Sequence, residues 1–110
     1  MRKAKKERLE AAGWRLGSAE EFLGLSKEEA AFVEMKLALA ESMRKRRQAR
    51  RLTQTQLARK IGSSQSRVAK MEAADPSVSI DLLVRSLLAM GVSRSDVARV
   101  MGRRRTRRAA

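Results

Sequence analysis

Apolar positions from residue 26 onward recur at spacings of three and four, and a hydroxyl or a glycine punctuates each run. Ser26, with Glu29 three residues later, has the form of a capping box. Behind it Phe32, Met35, Leu39 and Met43, with Val33, Leu37 and Ala40 beside them, draw one broad apolar face on a long helix. The pattern carries that helix to about Gln48 or Arg50. Thr53 is the next N-cap, with Gln56 at the third helical position. Helix 54–61 then buries Leu57, Ala58 and Ile61, and Gly62 closes it. Ser64 caps a following helix that buries Val68 and Met71, and Asp75-Pro76 breaks it. Ser79 opens helix 80–90, with Ile80, Leu83, Leu87 and Leu88 facing inward and Gly91 at its end. Ser93 and Asp96 open a last short helix with Val97, Val100 and Met101, and Gly102 ends it. Strand signals are nearly absent. The prediction is an all-α protein, a five-helix bundle over residues 26–102.

Residues 1–25 form a separate N-terminal arm. Residues 1–12 read as a charged helix marked only by Leu9, Ala11 and Ala12. Gly13 and Gly17 bracket Trp14-Arg15-Leu16, and Ser18 to Glu21 form another capping-box pattern before Phe22, Leu23 and Gly24. At the other end, residues 103–110 read as a disordered basic tail.

Charge divides the chain in the same way. Residues 1–41 hold eight basic and eight acidic side chains, whereas residues 42–110 hold 18 basic and four acidic ones, the whole of the +14. Only the second part calls for a polyanionic partner. Cys, His and Tyr are all absent. That excludes disulfides and thiolate metal sites, and it removes the usual general base. One Trp and two Phe make no platform for stacking single-stranded bases. Neither a nucleophile–base pair, a metal cluster nor a phosphate loop is visible, so no enzyme, cofactor or small-molecule ligand is expected. No apolar run is long enough to span a bilayer, and the basic N-terminus lacks an apolar stretch, so a cytoplasmic protein, nucleoid-associated if its polyanion is DNA, is the default.

Residues 53–72 carry the chemistry. Two short helices meet at a turn at Gly62. The small Ala58 lets them approach, and Leu57, Ile61, Val68 and Met71 fill the space between them. The first turns of the second helix display Gln65, Ser66 and Arg67, with Lys70 one turn on. All are hydrogen-bond donors and none is bulky or acidic, which suits a helix laid in the DNA major groove. Upstream, six of the eight residues from Arg44 to Arg51 are basic. They can follow a phosphate strand, or they can form a solvated helix end favoured by the helix dipole.

Leu52-Thr53-Gln54, Leu57-Ala58, Ile61-Gly62-Ser63 and Gln65 to Glu72 resemble the Xre/Cro-type helix-turn-helix regulators, whose fold is the lambda-repressor-like bundle. The resemblance covers roughly residues 36–91. It implies base reading by Gln65, Ser66, Arg67 and Lys70. It also implies that Gln54 contacts a phosphate and braces the base reader, that Ser64 combines capping with a phosphate contact, and that Arg44, Arg47 and Arg51 add grip. Arg47 and Glu72 match a pair that in such proteins forms an internal ion pair. Two positions depart from the family's pattern: many members have glycine where Arg51 stands, and glycine after the motif glutamate, where Ala73 and Ala74 stand. These departures predict a differently shaped turn at 50–52 and a recognition helix one residue longer.

Lys6 to Leu9, Gly13-Trp14, Gly17-Ser18 and Glu21 to Leu25 resemble a subgroup of these regulators, the HigA-like antitoxins of type II toxin–antitoxin modules. What this implies is a homodimer on an inverted-repeat operator in double-stranded DNA. It also implies an arm whose Trp14, Leu16, Phe22 and Leu23 dock on a small basic toxin of the RelE/ParE (HigB) type. The arm folding back on the long helix is an equal alternative. A stand-alone phage-type or chromosomal repressor, and a nonspecific nucleic-acid-binding protein, are the other readings.

Overall fold

The structure, a computed structural model, describes residues 24–103. The arm up to Leu23 and the tail from Arg104 on therefore lie outside the described residues. Within them run five helices: α1 (Lys27–Ala49), α2 (Gln54–Ile61), α3 (Gln65–Glu72), α4 (Ile80–Ala89) and α5 (Arg94–Met101), with no strand among the described residues. The chain divides into two units, residues 1–34 with 104–110 and residues 35–103.

In the first unit the capping box forms as its residues require. Ser26 N donates to Glu29 Oε1 at 2.9 Å, and Glu29 N donates to Ser26 Oγ at 3.0 Å. The expected continuous apolar face does not form there: Phe32 is 53% and Val33 38% exposed. Ala30 is buried there, and the packed cluster of the second unit takes residues of α1 from Ala38 on.

In the second unit the core gathers Leu39, Met43, Leu57, Val68, Met71, Leu83, Leu87 and Val100, all essentially without exposure. Ile61 and Ile80 pack against it half-buried. Leu88, expected inward, is 42% exposed. Leu83, Ser86, Leu87 and Met90 take the inward positions of this helix and its cap instead. Each of α2 to α5 starts where the sequence places a hydroxyl. Thr53, Ser64, Ser79 and Ser93 all hold extended backbone and accept a hydrogen bond from the third helical N–H.

Four successive helices end alike. Leu52 N donates to Arg47 O, Ser63 N to Ala58 O, Asp75 N to Lys70 O, and Val92 N to Leu87 O, each at 2.7–3.1 Å. This six-to-one bond needs a left-handed residue just before its donor. The residues so placed are Arg51 (φ 58°), Gly62 (φ 71°), Ala74 (φ 53°) and Gly91 (φ 94°). Two of the four are not glycine. The expected change of shape at 50–52 is thus absent, because Arg51 takes the conformation a glycine would take. Nor is the recognition helix longer: α3 stops at Glu72 because Ala74 turns left-handed.

A side chain in that conformation costs about 1–2 kcal/mol, and glycine gives back roughly 0.4–1 kcal/mol through its freer unfolded chain. Ala74→Gly is therefore expected to stabilise the protein by about 0.5–1 kcal/mol. The check is urea unfolding with an unchanged slope and a higher midpoint; a lower midpoint would show that Ala74 carries no strain.

Beyond Ala74, the Asp75 carboxylate accepts from Ser77 N (2.9 Å) and Ser77 Oγ (2.7 Å). These bonds hold its pKa below the usual carboxylate value. Their stabilisation is present above that range and is lost as pH falls through the lowered pKa. Lys36 Nζ donates to the Asp75 carbonyl at 3.0 Å and ties α1 to the loop before α4.

Candidate nucleic-acid interface

The interface is built on the α2–α3 pair. Thr53 Oγ1 accepts from Gln56 N (3.0 Å), and Gln56 Oε1 accepts from Thr53 N (2.8 Å), which fixes where α2 begins. Gly62, left-handed, sends the chain from α2 into α3. Ser64 Oγ accepts from Arg67 N at 3.2 Å and starts α3. Val68 and Met71 are buried, so α3 turns its other face outward. On that face Gln65, Ser66, Arg67 and Lys70 are all exposed, as the groove-facing pattern predicts.

Behind this face runs a line of hydrogen bonds that links three helices. Arg47 on α1 donates from Nε to Glu72 Oε2 (2.6 Å) and from Nη2 to Glu72 Oε1 (3.0 Å), a two-point contact with a carboxylate on α3. Its Nη1 donates to the Leu52 carbonyl at 2.8 Å. The side chains of Arg47 and Glu72 are 13% and 4% exposed. Glu72 raises the Arg47 pKa above its ordinary value, first through the hydrogen bond and then through its charge, against the desolvation that lowers it. Gln54 at the start of α2 donates from Nε2 to Glu72 Oε1 (3.2 Å). Gln65 at the start of α3 donates from Nε2 to Gln54 Oε1 (2.8 Å). The line thus passes from Arg47 through Glu72 and Gln54 to an exposed amide.

The basic run divides between two duties. Lys45 pairs with Glu41 at 3.4 Å on the surface, Arg46 Nε donates to Ser42 Oγ at 3.1 Å, and Arg50 Nη1 donates to the Met90 carbonyl at 2.8 Å. Arg47, read both as a phosphate contact and as an internal brace, is spent on Glu72 and Leu52. Arg44 and Arg51 are exposed, and neither side chain has a partner among the described residues. Ser64 is exposed and its hydroxyl serves the cap. Trp14, Leu16, Phe22 and Leu23 lie outside the described residues. Sequence reasoning missed the Gln54–Glu72 bond and the Arg50–Met90 bond. They join residues 18 and 40 apart, and no local spacing signals them.

The helix-turn-helix family model matches residues 43–97, half of the chain. It takes in the end of α1, the whole α2–α3 pair, α4 and the start of α5. The chain belongs to the helix-turn-helix family. Its domain is of the Xre type, a DNA-binding regulatory domain rather than a catalytic one, and the protein is a DNA-binding transcriptional regulator. No curated protein and no solved structure matches the chain. Among the described residues no group of acidic side chains could hold a metal ion, and no helix is long and apolar enough to cross a membrane.

Proposed function

We propose that this helix-turn-helix regulator is a sequence-specific repressor that reads its operator with Gln65, Ser66, Arg67 and Lys70. The observation that carries this reading is the braced Gln65 amide. An amide held by Gln54, itself held by a buried ion pair, is positioned before DNA arrives. Arg44 and Arg51 supply grip on phosphates, together with the second N–H of Gln54 and the N-terminus of α3 behind Ser64. A two-fold dimer would place two such helices in successive major grooves, about one helical turn apart on an inverted repeat. Bound over a promoter, it blocks transcription.

Selection from a pool of randomised duplexes tests this reading. One palindromic site is expected to emerge. Gln65→Ala and Arg67→Ala are each expected to cost about 1–3 kcal/mol on that site and to relax preference at one position of each half-site. Equal binding to scrambled duplexes would overturn specific reading.

The gene under control is proposed to be its own operon, with the protein acting as the antitoxin that holds a small basic toxin. The support is the resemblance of residues 6–25 to HigA-like antitoxins and the zero net charge of residues 1–41 beside a basic domain. Co-expression with the adjacent small gene is expected to relieve growth arrest and to yield a stable complex. Replacing Trp14 and Phe22 together by Ala is expected to weaken that complex and leave DNA binding intact. Unrelieved arrest with the full chain present would leave a stand-alone repressor.

A further inference from the structure

We propose that Glu72, which lies behind the reading face, decides which purine Gln65 accepts. The inference rests on the reading of Gln65 as a base contact and adds what sets its preference. A glutamine amide has a donor end and an acceptor end of nearly the same shape, so by itself it can present either. A carboxylate can only accept. Glu72 Oε1 takes its bond from Gln54, so Gln54 must turn its Nε2 toward Glu72, at 3.2 Å. That leaves Gln54 Oε1 toward α3, where it can only accept, and Gln65 must donate Nε2 to it at 2.8 Å. Gln65 then has its own Oε1 and one remaining N–H for the groove.

One acceptor beside one donor is the complement of adenine, which offers N7 and the N6 amino group on its major-groove edge. Guanine offers two acceptors there, N7 and O6, and O6 would face Gln65 Oε1. The reversed chain would suit guanine, with two N–H groups outward. It would also set Gln54 Oε1 against the Glu72 carboxylate, acceptor against acceptor. Arg47 holds both carboxylate oxygens, at 2.6 and 3.0 Å, so Glu72 cannot turn away to relieve the clash. The polarity of a buried anion is passed through two amides to the base.

The test uses the full chain and duplexes carrying each base at the position where Gln65→Ala loses preference. If Gln65→Ala loses preference nowhere, the reading of Gln65 as a base contact fails and the role of Glu72 fails with it. Where such a position exists, the wild type is expected to favour adenine over guanine by about 10-fold or more, within the range of one good two-point contact. Glu72→Gln, whose amide can face either way, is expected to bring that ratio to about twofold or less at unchanged position of the site. Gln54→Leu keeps the Arg47–Glu72 pair and so keeps the fold, yet it frees Gln65, and the ratio is expected to fall in the same way.

The exchange of both residues, Gln54→Glu with Glu72→Gln, puts the acceptor-only group next to Gln65. It is expected to restore the adenine preference even if the new carboxylate weakens binding to every duplex. A folded Glu72→Gln or Gln54→Leu protein that keeps the wild-type ratio overturns the proposal, as does an exchange that leaves adenine and guanine equal. A role for Glu72 in stability alone would lower affinity without moving the ratio.

Discussion

Arg47→Met is expected to cost about 3–5 kcal/mol of stability, because it leaves the Glu72 carboxylate buried with no charge opposite it. Glu72 is 4% exposed, so water cannot replace the guanidinium without opening the structure. Small domains have roughly 5–15 kcal/mol in all, so much of the folded population would be at risk at ordinary temperature. The loss reaches function as well. Arg47 also donates to the Leu52 carbonyl and so fixes the turn into α2. Without it, both ends of the α2–α3 pair come loose. Urea unfolding should show a much lower midpoint, and operator binding should fall with the folded fraction. Removing both charges, with Arg47→Met and Glu72→Met together, is expected to recover most of the stability, because a well-packed apolar pair serves about as well as a buried ion pair. It is not expected to recover base preference, since nothing then fixes Gln54. An Arg47→Met protein that unfolds at the wild-type midpoint would show that the ion pair does not hold α3.

Leu57→Ala is the second large effect, with an expected loss of about 2–5 kcal/mol. Leu57 has no exposure, and it lies in the core with Val68 and Met71, the residues that seat α3. The cavity would open under the recognition helix itself. Leu88→Ala makes the contrast. It removes the same atoms from a side chain that is 42% exposed, and surface changes of that kind usually stay within about 0.5 kcal/mol. Thermal or urea unfolding of the two variants, each at low protein concentration, checks the pair. Equal losses would show that Leu57 and Leu88 do not differ in burial as described.

The contrast also shows what could be read from sequence. Helix starts were legible because a cap is a local device. Thr53 with Gln56, and Ser64, Ser79 and Ser93, act on N–H groups three residues away. The α2 bounds, the turn at Gly62 and the outward Gln65, Ser66, Arg67 and Lys70 follow from the same short range. What depends on distant neighbours was not legible. Leu88 fits a helical apolar stripe as well as Leu87 does, and only the packed helices decide which one is covered. Phe32 and Val33 continue the spacing of Leu39 and Met43, yet both are exposed. Arg51 and Ala74 looked like departures that would reshape two turns. The bonds around those turns instead hold both residues left-handed, because the chain on either side is already fixed. The basic run read as one feature, yet its arginines divide between internal carbonyls, a carboxylate, a serine hydroxyl and open solvent according to the partners that folding brings up.

The pairing of Arg47 with Glu72 bears on how the protein responds to ionic strength. Mobile ions screen exposed charges over about 10 Å at 0.1 M, but they reach a buried pair far less. Arg44 and Arg51 stand in solvent, so added electrolyte should weaken the phosphate contacts proposed for them on every duplex alike. The Arg47–Glu72 end of the line is shielded, and the discrimination proposed for it should persist. As the medium becomes more concentrated, the regulator would bind more weakly but choose just as well.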